Sequence, residues 1–324
     1  MKSYYINKKY FLFIYFNLIL FFFLSLLFKS QIFTSDTDGF FYQIISVQSN
    51  QDLGSLYIIH NIRLLVIYPF YLLDKYNLPL SSQHLFLLLY CFPIIFMNIP
   101  RHIKYFSIII LYFSIFFSFR SIFVMQSLFI LIMVIKYNIS NKIYLLVSLM
   151  YSFLSSGTFL VWLFFIYLYR KKIILNKEFL KYINLLIIFL VIILLGPLFH
   201  KFLFFIDPIT YGSATSVNLE ALLNISIENI ITLFTNIFER SFIFESYIKN
   251  QYFRLTIIFI MFSMLLFLLI VQKNKLILVL FLFYIFGLFF EGLIIYSLFF
   301  ITLVLFFDYL YRNLKVYFVK KNIN

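Results

Sequence analysis

Charged residues are scarce in this chain of 324 residues: 12% are Asp, Glu, Lys or Arg, about half the share of an ordinary soluble domain. Hydrophobic residues make up 64% of the chain, more than a water-soluble domain can bury, so the composition excludes a soluble globular protein. A single cysteine, Cys91, excludes an intrachain disulfide and a cluster of cysteine metal ligands.

Motifs for nucleotide and zinc chemistry are also missing. The chain contains no GxxxxGKS/T loop, no GxGxxG, no HExxH and no paired cysteines. ATP-driven transport and zinc chemistry are therefore not expected. We predict no cofactor, and we assign no residue as a metal ligand.

The apolar residues lie in continuous runs, which favours an all-α polytopic membrane protein. At about 20 residues per crossing, they suffice for at most about ten transmembrane helices. The runs cover residues 10–28, 83–99, 105–119, 121–135, 143–155, 158–169, 182–195, 255–271, 276–290 and 293–307. We predict about ten transmembrane helices in one membrane-embedded domain over residues 1–324.

The net charge of +14 would suggest nucleic-acid binding in a soluble protein, but here the basic residues cluster between the apolar runs. They indicate cytoplasmic loops, and we expect no nucleic-acid partner. Residues 105–135, 143–169 and 276–307 are each too long for one helix and have basic residues at both ends, which predicts three helical hairpins. With both termini cytoplasmic, this topology places 18 of the 26 basic residues inside and all acids except Glu178 and Asp308 outside.

One apolar run does not fit this topology. The segment 56–73 contains His60, Arg63 and Pro69, and if it crossed fully, every later basic cluster would lie outside. We predict a re-entrant or interfacial helix there. The external segments are then residues 29–55 and 196–253. The second contains an amphipathic helix, in which polar residues recur every three or four positions: Glu220, Asn224, Glu228, Thr232, Thr235 and Glu239.

The densest polar cluster, residues 34–42, follows the first apolar run and includes Asp36 and Asp38. Two carboxylates this close can hold a divalent cation, or one can act as a base while the other stays structural. The alternative is a polar loop whose aspartates cap the next helix. Both interpretations are open from the sequence.

Two arginines interrupt apolar runs, where a guanidinium is costly without an anionic partner or water. Arg63 is suited to bidentate contact with phosphate, or alternatively extends to the interface. Arg120 is likewise suited to contact with phosphate. The alternative is an ion pair with a carboxylate such as Asp38. His60 lies one helical turn before Arg63. It is either a site residue or a structural group held by a hydrogen bond. Arg240, at the border of the external segment, is a weaker candidate because interfacial arginines are common.

The order of these features resembles bacterial polysaccharide polymerases of the Wzy type, in particular the EpsG-like branch. An Asp-x-x-x-Tyr pattern after the first helix is matched by Asp38 to Tyr42, and an arginine that opens a helix is matched by Arg120. The helix break with small hydroxyl residues is matched by Ser155 and Ser156, but the histidine that the family shows there is missing. The similarity covers residues 10–172.

The resemblance implies polymerisation of polyprenyl-diphosphate-linked repeat units into O-antigen, capsule or exopolysaccharide. The reaction takes place at the periplasmic face of the bacterial inner membrane. It implies catalytic roles for Asp36, Asp38 and Arg120. It also implies that the substrate is contacted by Tyr42, His60, Arg63, Ser155, Ser156 and Arg240. The expected partners are an undecaprenyl-diphosphate-linked glycan, membrane lipids, a repeat-unit flippase and a chain-length regulator.

Three alternatives remain at this point. A GT-C-type glycosyltransferase also uses polyprenyl-linked sugars and places an acid in its first outer loop, but such enzymes tend to be longer. A flippase or transporter for lipid-linked sugars needs a polar tunnel, and polar residues are not evident at mid-helix in the sequence. A structural membrane subunit is the third.

Overall fold

A computed structural model describes residues 13, 15–17, 19–20, 22–24, 58–76, 82–113, 119–173, 188, 251–290 and 292–321. All regular structure in this part of the chain is helical. Its helices are α1 (Ile58–Lys75), α2 (Ser82–Phe96), α3 (Arg101–Phe113), α4 (Phe119–Tyr137), α5 (Lys142–Ser152), α6 (Ser156–Ile173), α7 (Gln251–Gln272), α8 (Lys275–Phe290) and α9 (Gly292–Lys321). The all-α prediction is confirmed for the described residues.

Helix α4 is the centre of the bundle and packs against α2, α5, α6 and α9. Its sequence is apolar on every side, as expected for a helix surrounded by others, and every residue from 122 to 135 is buried. Ser127 on α4 and Ser148 on α5 each donate a hydroxyl hydrogen bond to the other's backbone carbonyl, at 2.7 and 2.8 Å. Small side chains allow this close approach of two helices.

The hairpin connections between helices are short, and asparagines shape them. Asn138 ends α4 with a positive φ of 51°, a conformation that asparagine adopts more readily than most residues. Asn141 then caps α5 by accepting a hydrogen bond from the Ile143 amide at 3.0 Å. Asn274 accepts one from the Leu276 amide at 3.0 Å at the start of α8. These caps satisfy backbone groups that a helix end leaves open.

The connections define two ends of the bundle. The basic end holds the links α2–α3, α4–α5 and α7–α8, with Arg101, Lys136 and Lys273. The site end holds the α5–α6 turn at residues 153–155, the end of α8 at Phe290 and the start of α9 at Gly292. The second predicted hairpin turn is confirmed by the described α5–α6 turn, while residues 114–118 and 291 lie outside the described residues. Arg120, predicted within the first turn, is instead the second residue of α4.

Helix α1 packs against α2 and α5 near the site end. Its Phe70 ring lies 5.9 Å from the ring of Phe123 in the first turns of α4. Phe86 of α2 and Tyr151 of α5 contact the same Phe123 ring, at centroid distances of 5.7 and 4.9 Å. This aromatic cluster fixes α1 beside the part of the bundle that precedes the α5–α6 turn.

Among the described residues, one helix, Leu255–Gln272 in α7, is long and apolar enough to cross a membrane by length and composition. Other apolar helices are shorter: His84–Phe96, Ile122–Tyr137, Lys142–Ser152, Gly157–Arg170 and Lys275–Leu288. The count of about ten transmembrane helices stays a prediction. The predicted amphipathic helix 220–239 and most of the run 182–195 lie outside the described residues.

Candidate functional site

The predicted site residues divide into three groups. Four lie outside the described residues: Asp36, Asp38, Tyr42 and Arg240. Three are described by their backbone: His60, Arg120 and Ser156. Two are described with their side chains: Arg63 and Ser155. The site therefore has to be judged mainly from these last two and from the helices that hold the others.

Arg63 is buried, with 5% of its side chain exposed. Its Nε donates a hydrogen bond to the backbone carbonyl of Phe153 at 2.7 Å, across a separation of 90 residues in the chain. The side chain therefore points towards the α5–α6 turn, and the phosphate role and the interfacial alternative both stay predictions. A carbonyl oxygen offsets part of the cost of burying a guanidinium and holds it in one orientation.

The turn that receives Arg63 is built by a serine cap. Ser155 precedes α6, and its Oγ accepts a hydrogen bond from the Thr158 amide at 3.3 Å. Ser155 and Thr158 are fully buried. The Thr158 hydroxyl has no hydrogen-bond partner among the described groups. A buried hydroxyl without a partner costs about 1 to 3 kcal/mol.

The remaining site positions follow from the helices. Arg120 is the second residue of α4, so its backbone lies at the site end, where the antiparallel α5 finishes at Ser152. His60 lies one turn before Arg63 on α1. The structure thus brings Arg63 and the α5–α6 turn into contact, and it places the backbone of Arg120 at the same end of the bundle. Permanent cations fixed next to polar backbone groups are suited to phosphate recognition.

An apolar groove lies beside α2, with a volume of about 410 Å³. The groove runs from His84, in the first turn of α2, to Ile95 near its end. The ring of Phe22 packs 4.4 Å from the ring of His84, at the site end. The walls of the groove are Tyr15, Ile19, Phe22, His84, Leu87, Leu88, Cys91, Phe92 and Ile95. Its apolar lining suits a hydrocarbon chain rather than a sugar.

Buried polar residues occur at mid-helix, which the sequence patterns did not reveal. Tyr90 donates to the Ser107 carbonyl at 2.8 Å, and Gln126 donates to the Tyr90 carbonyl at 2.8 Å. Trp162 donates to the Ser148 hydroxyl at 2.8 Å. The cavity beside Tyr90, Ser107 and Gln126 measures about 20 Å³, room for one water molecule. These contacts link helices to each other, and the cavity is too small for a sugar to pass.

A charged cluster that the sequence analysis did not single out lies at the basic end. Asp308 of α9 is 1% exposed, and three basic side chains surround it. Lys136 Nζ lies 2.6 Å from Oδ2, and His102 Nε2 and Arg312 Nε lie 2.6 and 3.0 Å from Oδ1. Arg312 also donates to the Tyr137 hydroxyl at 3.0 Å. The spacing of Asp308 and Arg312, four residues apart on one helix, was the only local signal for it.

Burial and neighbouring charges shift the pKa values of these groups in opposite directions. The groups lie just beyond the predicted transmembrane segments. Burial alone would raise the pKa of Asp308, but the hydrogen bonds from Lys136 and its neighbours outweigh it and hold the pKa below its ordinary value. Burial lowers the pKa of Lys136, although Asp308 partly compensates. Burial also raises the pKa of Tyr137 to about 12. The carboxylate is therefore ionised and holds α3, α4 and α9 together.

No protein-family model, curated protein or solved structure matches this chain in sequence or fold comparisons.

Proposed function

We propose that this chain is a polytopic protein of the bacterial inner membrane with about ten transmembrane helices. It polymerises polyprenyl-diphosphate-linked oligosaccharide repeat units at the periplasmic face. In this proposal the basic end faces the cytoplasm and the site end faces the periplasm. Both the membrane placement and the activity extend the resemblance described for residues 10–172.

The observation that supports the proposal is the contact between Arg63 and the α5–α6 turn. The sequence assigned both to the substrate site, although 90 residues separate Arg63 from Phe153. The contact also lies at the end of the bundle opposite the basic loops, where a periplasmic site is required.

The residues divide the chemistry of glycosyl transfer between them. Asp36 or Asp38 takes the proton from the acceptor hydroxyl, which attacks the anomeric carbon of the lipid-linked chain. The bond from that carbon to the diphosphate oxygen breaks, and the diphosphate leaves on its polyprenyl carrier. Arg63 and Arg120 stabilise the negative charge on the departing diphosphate. The lipid-linked donor already supplies the activated bond, so no nucleotide site is needed.

The groove beside α2 has the properties needed for the carrier tail. It starts near the site end, at His84, and its walls are almost entirely apolar. A tail lying along α2 would leave the diphosphate at the site end of the bundle. Tyr42, Ser156, His60 and Arg240 then contact the glycan or the diphosphate in this proposal, while the buried Ser155 holds the turn in place by capping α6.

The test is replacement of Asp38→Asn, Arg120→Gln and Arg63→Gln in the producing strain, with glycan length as the readout. These variants nearly preserve side-chain size. Loss of one prearranged cation or of the base typically costs about 100- to 1000-fold in rate. Polymer is expected to collapse to single repeat units, while Arg120→Lys recovers part of the activity because an ammonium cannot make bidentate contacts.

Arg170→Gln is the matched control, since Arg170 lies at the end of α6 away from the site. It is expected to leave polymer length unchanged. Normal long-chain glycan from both the Asp38→Asn and Arg120→Gln variants would contradict the proposal. A deletion strain with unchanged glycans would favour the transporter or structural alternatives instead.

A further inference from the structure

Positive charge at the basic end exceeds the negative charge that Asp308 supplies. Asp308 is in contact with two basic side chains, Lys136 and Arg312, as well as His102. Arg312 keeps 54% of its side chain exposed while its Nε is held by the carboxylate. Asp308 thus orients the cations without neutralising them.

More basic residues flank this cluster. Arg101 is exposed at the start of α3. Burial, and then the charge of Arg101, lower the pKa of Lys104 to about 8. Helix α9 continues for about 20 Å beyond Asp308, through a segment with no acidic residue and the basic residues Arg312, Lys315, Lys320 and Lys321. Cations in such proximity repel each other, and an anion bound between them would relieve the repulsion.

Exposed apolar side chains lie on the same helices as these cations, α3 and α9. Phe307 and Ile109 are 42% and 43% exposed. The ring of Phe307 is stacked on Phe106 of α3 at a centroid distance of 5.2 Å. Each ring lies five residues, about 7.5 Å along the helix axis, from the arginine on its own helix, Arg312 or Arg101. A ligand for this surface therefore needs an anionic group next to a hydrocarbon chain.

We propose that the basic end binds the phosphate group of an anionic membrane phospholipid, with its acyl chains against Phe307 and Ile109. Charge attracts the headgroup, and the guanidinium groups of Arg101 and Arg312 can contact its phosphate oxygens. This inference rests on the membrane placement proposed above but not on the polymerase activity.

The experiment uses the purified full chain in detergent and measures retained lipid by native mass spectrometry, together with the thermal unfolding midpoint. The probes are phosphatidylglycerol, phosphatidylcholine and inorganic phosphate. Each basic residue near an anionic surface contributes about a fivefold gain in affinity, so Arg101 and Arg312 together predict a preference for phosphatidylglycerol of about 25-fold. Inorganic phosphate is expected not to raise the unfolding midpoint.

Arg101→Gln with Arg312→Gln is expected to remove most of this preference. Lys75→Gln is the matched control, because Lys75 is an exposed cation at the end of α1. If the double variant does not fold, the Arg101→Gln variant alone is the test, and its preference for phosphatidylglycerol is expected to fall about fivefold. Equal retention of the two lipids, stabilisation by inorganic phosphate alone, or an unchanged preference in a folded Arg101→Gln variant would overturn the proposal. Lipid retention is measured without any glycan, so its failure is separate from failure of the polymerase proposal.

Discussion

Arg63 shows how one hydrogen bond gives a buried charge a fixed position. An arginine inside an apolar helix is tolerated when a polar group receives it, and here the Phe153 carbonyl does so at 2.7 Å. The same turn contains a satisfied hydroxyl, on Ser155, and an unsatisfied one, on Thr158. The two hydroxyl groups therefore have opposite expected effects on stability.

Thr158→Val preserves the shape of the side chain while removing the unsatisfied hydroxyl. We expect the free energy of unfolding to rise by about 1 kcal/mol, because a buried group without a partner no longer has to lose its hydration. Thr302→Val is expected to give a similar gain, since its hydroxyl is also buried without a partner in the described part of the chain. Both can be measured by denaturant unfolding in detergent.

Ser155→Ala provides the contrast at the same turn. It removes the cap of α6, and the expected loss is about 1 kcal/mol in the same assay. A destabilised Thr158→Val variant would mean that the Thr158 hydroxyl has a partner from a segment beyond those described.

At the scale of elements, Asp308 connects three helices that are distant in sequence. Lys136 is largely buried with it, whereas Arg312 is half exposed. Removing one partner of a buried ion pair leaves an uncompensated charge, which costs several kcal/mol, but an exposed pair contributes about 1 kcal/mol or less. The network is therefore expected to respond unequally to loss of its members.

Asp308→Asn is predicted to destabilise the protein by about 3 kcal/mol, and Arg312→Gln by about 1 kcal/mol or less. The folded-state pKa of Asp308 is depressed, so its contribution is present above the ordinary value of 3.8 and is lost as the pH falls through the lower folded pKa. Unfolding curves of wild type and Asp308→Asn should therefore converge below pH 3.8. A constant difference down to the lowest pH would show that the contribution does not depend on ionisation of the carboxyl.

Helix α1 is the element whose position matters most for the proposed topology. Its Arg63 meets the α5–α6 turn, and Phe70 meets the first turns of α4. Both contacts lie at the site end, which favours an interfacial or re-entrant helix over a full crossing.

Asp74→Cys, in a Cys91→Ser background without other cysteines, tests this placement. We predict that a membrane-impermeant thiol reagent labels it from the periplasmic side, because Arg63 and Phe70 of α1 both make their contacts at the site end. Labelling from the cytoplasmic side alone would show that α1 spans the bilayer and that the later topology is inverted.

For the described part of the chain as a whole, the gathering of basic residues at one end of the bundle is the dominant feature. Basic residues gather at the α2–α3, α4–α5 and α7–α8 links, and α9 extends the basic end towards the C-terminus. If this end is cytoplasmic, both termini and residues 170–181 lie inside.

Lys172→Cys and Ser216→Cys in the same Cys91→Ser background test that orientation. Lys172→Cys is predicted to be protected from an impermeant reagent added outside, and Ser216→Cys to be labelled, because the second lies in the segment predicted to be external. Permeabilised cells, in which both should react, provide the control. The reverse pattern in intact cells would contradict the topology.

The helical architecture was predictable because its signals are local. The run 276–290 became α8, Lys275–Phe290, and the run 121–135 became α4, Phe119–Tyr137, since apolar residues continue each helix and polar residues end it. The selection of Arg63 and of the hydroxyl residues near Ser155 was likewise local: an arginine in an apolar run and a break between two such runs. The roles of Asp36, Asp38, Tyr42 and Arg240 remain predictions, because those residues lie outside the described part of the chain.

For the described part of the chain, the sequence by itself therefore determined which segments are helical, and it singled out Arg63 as an unusual polar residue. Only the tertiary structure decided the partners: Phe153 for Arg63, and His102 and Lys136 for Asp308, across 206 and 172 residues. Such pairings depend on how helices pack and rotate against each other. A hydrogen bond forms only when the packing of many apolar side chains brings two polar atoms to within about 3 Å, and a single local pattern does not encode that distance.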